Sequence, residues 1–223
     1  PARRDAHGGK VFRLEDCTPN IVALLPSLLS HLTPNGRILL KLSPMLDLTQ
    51  ALKELSAVAW DVHVVAVKNE VKEVLLLSGG SEKITAIDLD KKDQAFVFTK
   101  EEEQEALYTI HHTPYTYLYE PNAAILKAGG YKLVAQRFGL HKLDVNTHLY
   151  ASNQLIENFP GRIWKIKEPT QTLPEGKANI LCRNYPLTPE QLKKKLHLRD
   201  GGTAYVIGCR VAGKPTLFYA ERV

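Results

Sequence analysis

Apolar and polar positions repeat with two different periods along this 223-residue chain, and each change of period marks an element. Ile21, Leu25, Leu28 and Leu32 recur at helical spacing behind Thr18-Pro19. A hydroxyl N-cap followed by proline at the first helical position is a helix start, because the proline's missing N–H costs nothing there. Pro26 inside the run predicts a kink or a split. After the turn Pro34-Asn35-Gly36, Arg37 to Leu42 reads as a short apolar strand of the buried, parallel-sheet kind. Asp47 with Gln50 begins a second helix in the manner of a capping box, and Leu48, Leu52 and Leu55 supply its inner stripe. Val62 to Val67 and Val71 to Leu77 then alternate with period two. Only Lys68-Asn69-Glu70 separates them, which predicts an antiparallel hairpin.

Ile84 to Asp90 and Ala95 to Thr99 repeat that pattern around Lys91 to Gln94. Glu101-Glu102-Glu103 opens a solvated helix, where carboxylates suit the positive helix end. Thr113-Pro114-Tyr115 marks a boundary. Pro121 begins a helix carrying Ala124, Ile125 and Ala128, stopped by Gly129-Gly130; Leu133, Val134 and Phe138 mark another, ended by Gly139. Thr147 to Ala151 reads as a strand, Asn153 to Glu157 as a helical turn, and Arg162 to Lys167 as a strand. Asn179 to Arg183 is a strand, Thr188-Pro189 caps a helix through Leu196, and Ala204 to Val211 pairs with Thr216 to Glu221 around Gly213. This last order predicts a small α+β sandwich.

Charge divides the chain. Pro121 to Val223 holds 16 Lys/Arg against 7 Asp/Glu, or +9, while the remainder, 13 against 17, is −4. A basic half joined to a mildly acidic one points to a polyanion-binding module attached to something else. No apolar run is long enough to span a bilayer, so no membrane partner is expected. Cys17, Cys182 and Cys209 are widely spaced without metal-type pairing, which fits buried thiols in a reducing, cytoplasmic setting. His111-His112 lacks ligand partners at metal spacing, so no metal is expected. The chain contains no phosphate-binding glycine motif.

Pro1-Ala2-Arg3-Arg4-Asp5 reads as the second half of an Asp-Pro-Ala-Arg loop, which resembles the catalytic loop of the uracil-C5 RNA methyltransferases. Further stretches carry a broader resemblance. They are Gly8-Gly9-Lys10-Val11-Phe12-Arg13-Leu14-Glu15-Asp16-Cys17-Thr18-Pro19, Leu40-Lys41-Leu42-Ser43-Pro44-Met45-Leu46-Asp47, Tyr119 through Gly129, and Asn146-Thr147-His148-Leu149-Tyr150. Together they resemble a Bacteroidetes family of class I S-adenosylmethionine-dependent methyltransferases ending in a ferredoxin-like segment and a THUMP-like domain. The resemblance implies an α/β fold, the C-terminal half of a Rossmann-like methyltransferase sheet, followed by an α+β ferredoxin-like/THUMP-like module. The implied boundaries are 1–80 for the methyltransferase half, 81–112 for a β-hairpin and linker, 113–160 for the ferredoxin-like segment and 161–223 for the THUMP-like domain. In such a sheet the fifth strand lies beside the seventh, with the sixth at the edge. Arg37 to Leu42, Val71 to Leu77 and Val62 to Val67 would take those places.

The resemblance implies methyl transfer from S-adenosylmethionine to RNA, a structured tRNA or rRNA, by a longer protein. The cofactor loop would lie outside this chain, so the chain alone is expected to bind no cofactor and to be inactive. Pro1, Ala2, Arg3, Arg4 and Asp5, with Lys41 and Ser43, are the acceptor-side candidates. Leu42 stands near the place of the uracil-C5 nucleophilic cysteine, which argues against a covalent adduct. The RNA-binding candidates are Lys132, Arg137, Lys142, His148, Tyr150, Arg162, Lys165, Arg183, Lys193, Lys194, Lys195 and Arg199. Tyr150, Trp164 and Tyr185 are candidates for stacking on bases, with a core role as the alternative. A non-catalytic RNA-binding protein and a methyltransferase with a non-RNA substrate stay open. The Arg37–Leu42 strand is expected to present a bare edge, covered by a second copy of the chain, through which two chains could dimerise, or by its own N-terminal segment.

Overall fold

The structure, a computed structural model, describes residues 13–91, 95–110, 115–167 and 176–223. The chain divides into two compact units: unit 1 comprises residues 1–104 and 123–130, and unit 2 comprises 105–122 and 131–223.

Unit 1 contains α1 (Ile21–Ser30), β1 (Leu39–Leu42), α2 (Leu48–Glu54), β2 (Trp60–Val67), β3 (Glu70–Ser78), β4 (Ile84–Asp88), β5 (Phe96–Phe98) and α4 (Ala123–Ala128); α3 (Lys100–Glu105) follows β5. Its sheet has the order β1-β3-β2-β4-β5. The hairpin read from the alternation is β2–β3, closed by Lys68 and Asn69, both at positive φ as a tight two-residue turn requires. Val62, Val64, Ala66, Val74, Leu76, Ile84, Ala86, Phe96 and Phe98 are buried, one face of four strands. α4 packs against β2, β3 and β4. Gly130 lets the chain pass close to Phe96, where a Cβ would lie 3.1 Å from the ring.

The predicted neighbourhood of β1, β3 and β2 is present, and β1 ends the sheet, paired among the described residues with β3 alone. The edge expected at β2 is absent, because β4 pairs with β2 in parallel. The Asp61 carboxylate makes this short crossing workable. Its Oδ1 accepts the amides of Ser81 and Lys83 at 2.9 and 3.0 Å, and Gly80 presses onto it where a Cβ would clash at 2.1 Å. The second predicted hairpin, β4–β5, therefore extends this sheet.

One helix start differs from the reading. Asn20, not Thr18, caps α1, its side chain accepting the Ala23 amide at 3.1 Å, and the Thr18–Pro19 bond is cis. α1 continues through Pro26, which is exposed, so water can replace the missing hydrogen bond. Asp47 caps α2 as expected, accepting the Gln50 amide at 2.8 Å.

Unit 2 is one seven-stranded sheet. It contains β6 (Tyr117–Pro121), α5 (Tyr131–Phe138), β7 (His141–Asp144), β8 (Thr147–Ser152), β9 (Gly161–Lys167), β10 (Asn179–Arg183), α6 (Pro189–Lys195), β11 (Ala204–Val211) and β12 (Lys214–Arg222), in the order β10-β11-β12-β9-β6-β8-β7. Among its named strands, as described, only the β10–β11 pair is parallel. The sheet rolls until β7 meets the β11–β12 turn. The Ala212 amide donates to Leu143 O at 2.8 Å, and the Gly213 amide to the Asp144 carboxylate at 2.6 Å. Inside the roll lie Leu118, Leu143, Leu149, Ala151, Trp164, Ile207, Cys209 and Ala220, from six strands. α6 is capped by Thr188 as predicted, in a capping box with Gln191, and places Leu192 against Ala178 and Val206.

Three readings are corrected here. Pro121 ends a strand, and helix α4 begins at Ala123. Asn153 to Glu157 is not helical, because tertiary bonds claim its backbone: Tyr119 Oη donates to Gln154 O at 2.6 Å and accepts the Ile156 amide at 3.1 Å. The expected separate sandwich shares its sheet with the preceding segment, since β9 pairs with both β6 and β12.

Candidate nucleic-acid interface

The inner face of the rolled sheet is apolar along most of its length and charged at one end. On β6, Leu118 joins the core, so Glu120, two residues on, faces the same side. On β9 the same holds for Trp164 and Arg162, and on β10 for Leu181 and Arg183. Glu120 and Arg162 are direct register partners, and rolling brings β10 around to them. Glu120 is only 2% exposed. Its Oε2 accepts Arg162 Nε at 2.9 Å and also Nη2, while its Oε1 accepts Arg183 Nε at 2.5 Å. Arg183 Nη1 donates to Cys182 O at 3.0 Å, and the Arg162 guanidinium sits 5.3 Å over the Trp164 ring. Beside them Asn184 Nδ2 donates to Thr147 Oγ1 at 3.2 Å. Two cations on one buried carboxylate leave a net charge of +1.

The other candidates are dispersed. Lys193, Lys194 and Lys195 form the last turn of α6, where cations suit the negative helix end; Lys193 pairs with Asp200 at 2.5 Å. Lys165, Arg137 and Arg199 are exposed, and Lys132 is half-buried. Two candidates are withdrawn. Lys142 is 3% exposed, with Nζ donating to Val145 O at 2.5 Å and lying over the Tyr108 ring. Tyr150 is fully buried, its hydroxyl donating to Tyr131 O at 2.7 Å. Neither presents its polar group or ring to a ligand. Trp164 is likewise core, as the alternative reading had it, while Tyr185 is half-buried. His148 stacks on Tyr131 with ring centroids 3.9 Å apart, and burial, then the Lys142 charge, hold its pKa below 6.5. Glu120 was missed, although a lone acid in the run Tyr117-Leu118-Tyr119-Glu120-Pro121 is a signal for a buried, paired charge.

In unit 1, Lys41 is exposed and paired with Glu73 at 2.8 Å, and Ser43 Oγ accepts the Met45 amide at 3.3 Å. Pro1 to Asp5, like His111-His112, lie outside the described residues. No group of three His, Cys, Asp or Glu among the described residues is placed to hold a metal. Leu42 is buried. Cys17 is buried too: its thiol donates to Arg13 O at 3.3 Å, and burial raises its pKa, so it is a poor nucleophile. The described glycines of unit 1 serve packing and turns. Gly36 is backed by Leu32, Gly80 by Asp61 and Gly130 by Phe96, and Gly79 and Gly129 serve turns at positive φ.

Residues 117–160 match the family model of a ferredoxin-like domain, and residues 155–222 match that of a THUMP-like domain. The chain carries both domains. The THUMP-like domain contributes Arg162 and Arg183, and the ferredoxin-like domain contributes Glu120. The chain is also similar to a crystal structure from Porphyromonas gingivalis W83, named a "putative methyltransferase". The two share 36% identity and a TM-score of 0.83 over 96% of this chain. The chain spans 57% of the length of that protein. No curated protein gives a match. No helix among the described residues is long and apolar enough to cross a membrane.

Proposed function

We propose that the chain is the C-terminal part of an S-adenosylmethionine-dependent methyltransferase that acts on RNA, and that unit 2 is its RNA-binding module. The observation that carries this is the 36% identity, over 96% of the chain, to a protein named a "putative methyltransferase". The RNA assignment rests on the THUMP-like domain and on the +9 charge from Pro121 onward. S-adenosylmethionine would be held by residues outside this chain. With Leu42 and Cys17 both buried, the acceptor atom would be methylated without a thiol adduct. The side of β1 that is unpaired among the described residues is where the rest of the sheet, or a second chain, would add.

The test uses the longer protein. Isothermal titration should show it binding S-adenosylmethionine, and incubation with labelled cofactor and total RNA should place methyl groups on RNA, mapped by mass spectrometry. Cofactor binding without labelled RNA would remove the substrate assignment. No cofactor binding would remove the enzyme and leave an RNA-binding protein.

A further inference from the structure

We propose that Arg162 and Arg183 form a phosphate-binding fork, set in place by Glu120, that receives a phosphate group of RNA at the charged end of the rolled sheet. This rests on the RNA reading above and names the contact that carries it. A single ion pair would satisfy Glu120; here its two oxygens are divided between two arginines. The second guanidinium is surplus to neutralisation, and it is held rather than free to wander. The carboxylate and the Cys182 carbonyl take Arg162 Nε and Nη2 and Arg183 Nε and Nη1. Arg162 Nη1 and Arg183 Nη2 are left without a protein partner among the described residues.

Both side chains reach solvent, at 27% and 40% exposure, while Glu120 beneath them does not. The result is a pair of planar donors on a net +1 site, fixed before any ligand arrives. That geometry suits the oxygens of a phosphate, which accept from guanidinium forks. Preorganisation also means that little side-chain freedom is lost on binding. Trp164 lies under the Arg162 guanidinium, and Asn184, next to Arg183 in the chain, is tied to Thr147. The contact reads no base. It sets the position of the strand, as phosphate contacts do. Glu120 is therefore a positioning residue, and the arginines are the groups that touch RNA.

Fluorescence anisotropy of the full chain with a short single-stranded oligouridylate, with and without a 5′-phosphate, over a series of salt concentrations tests this. R183Q removes one cation. R162K keeps the charge on Glu120 but loses the fork, so it covers the case in which R183Q does not fold. K53Q, in unit 1, makes the same change of net charge elsewhere. Both arginine variants should weaken binding, and R183Q should lower the slope of log affinity against log salt by about 1, whereas K53Q should change neither. A loss confined to the 5′-phosphorylated oligonucleotide supports the fork and assigns it to a terminal phosphate. An equal loss on both supports it and assigns it to a backbone phosphate. RNA binding by the parent chain with unchanged affinity and slope in folded variants overturns the fork alone. No RNA binding by the parent chain overturns the RNA reading and the fork with it.

Discussion

Substituting Glu120 by Gln should destabilise unit 2 by about 3 kcal/mol. The carboxylate accepts three hydrogen bonds, two from Arg162 and one from Arg183, and it is 2% exposed. A hydrogen bond to a charged group contributes roughly 1.5–3 kcal/mol, and removing one partner of a buried ion pair costs about 3–5 kcal/mol. The arginines are partly exposed, so water recovers part of that cost and the lower end applies. Trp164 is fully buried in unit 2 and Trp60 is in unit 1, so a Trp60→Phe background isolates the unit 2 signal. With m of about 2 kcal/mol/M, the urea midpoint read by Trp164 fluorescence should fall by roughly 1.5 M. A double-mutant cycle with R183Q should return a coupling of at least about 1 kcal/mol. A midpoint shift below roughly 0.3 M would refute the reasoning, because the Glu120 carboxylate would then not be what ties β10 to β6 and β9.

Three further outcomes are expected. Gly161→Ala should cost about 3 kcal/mol or more in urea unfolding, because its Cβ would lie 2.1 Å from the Glu120 carbonyl oxygen, a backbone atom that cannot step aside; a near-neutral value contradicts this. Burial pushes the Cys209 thiol up to about 12, so at pH 8 only roughly one molecule in ten thousand is thiolate, and a native disulfide-exchange titration should leave Cys209 unlabelled until denaturant is added. His148 has a depressed pKa in the folded state, so its contribution is fully present above pH 6.5 and is lost as pH falls through the folded value; His148→Phe, which keeps the stack on Tyr131, should flatten the fall in the urea midpoint between pH 7.5 and 5.

Local signals carried much of the fold. The alternation from Val62 to Leu77 and the Thr188-Pro189 cap are decided by neighbours in sequence, and both appear where the pattern placed them. β6 was not legible, because Leu118, Tyr119, Glu120 and Pro121 are all buried and a strand covered on both faces loses its period. The Pro121 signal was then read as a helix start. Arg162 and Arg183 were picked by charge alone, and so was Lys142, which is buried. Charge cannot separate a lysine buried over a ring from an arginine held at a rim. That distinction depends on rolling, which joins residues more than sixty positions apart, such as Glu120 and Arg183.

The strand β9 belongs by sequence to the THUMP-like domain, yet it hydrogen-bonds on one side to β6 of the ferredoxin-like domain. A cut at Gly161 would strip both halves of a neighbour and split the Leu118–Trp164 core. The two domains are thus separable as patterns of descent but not as folding objects. They should melt together, and neither should be portable to another protein without the other.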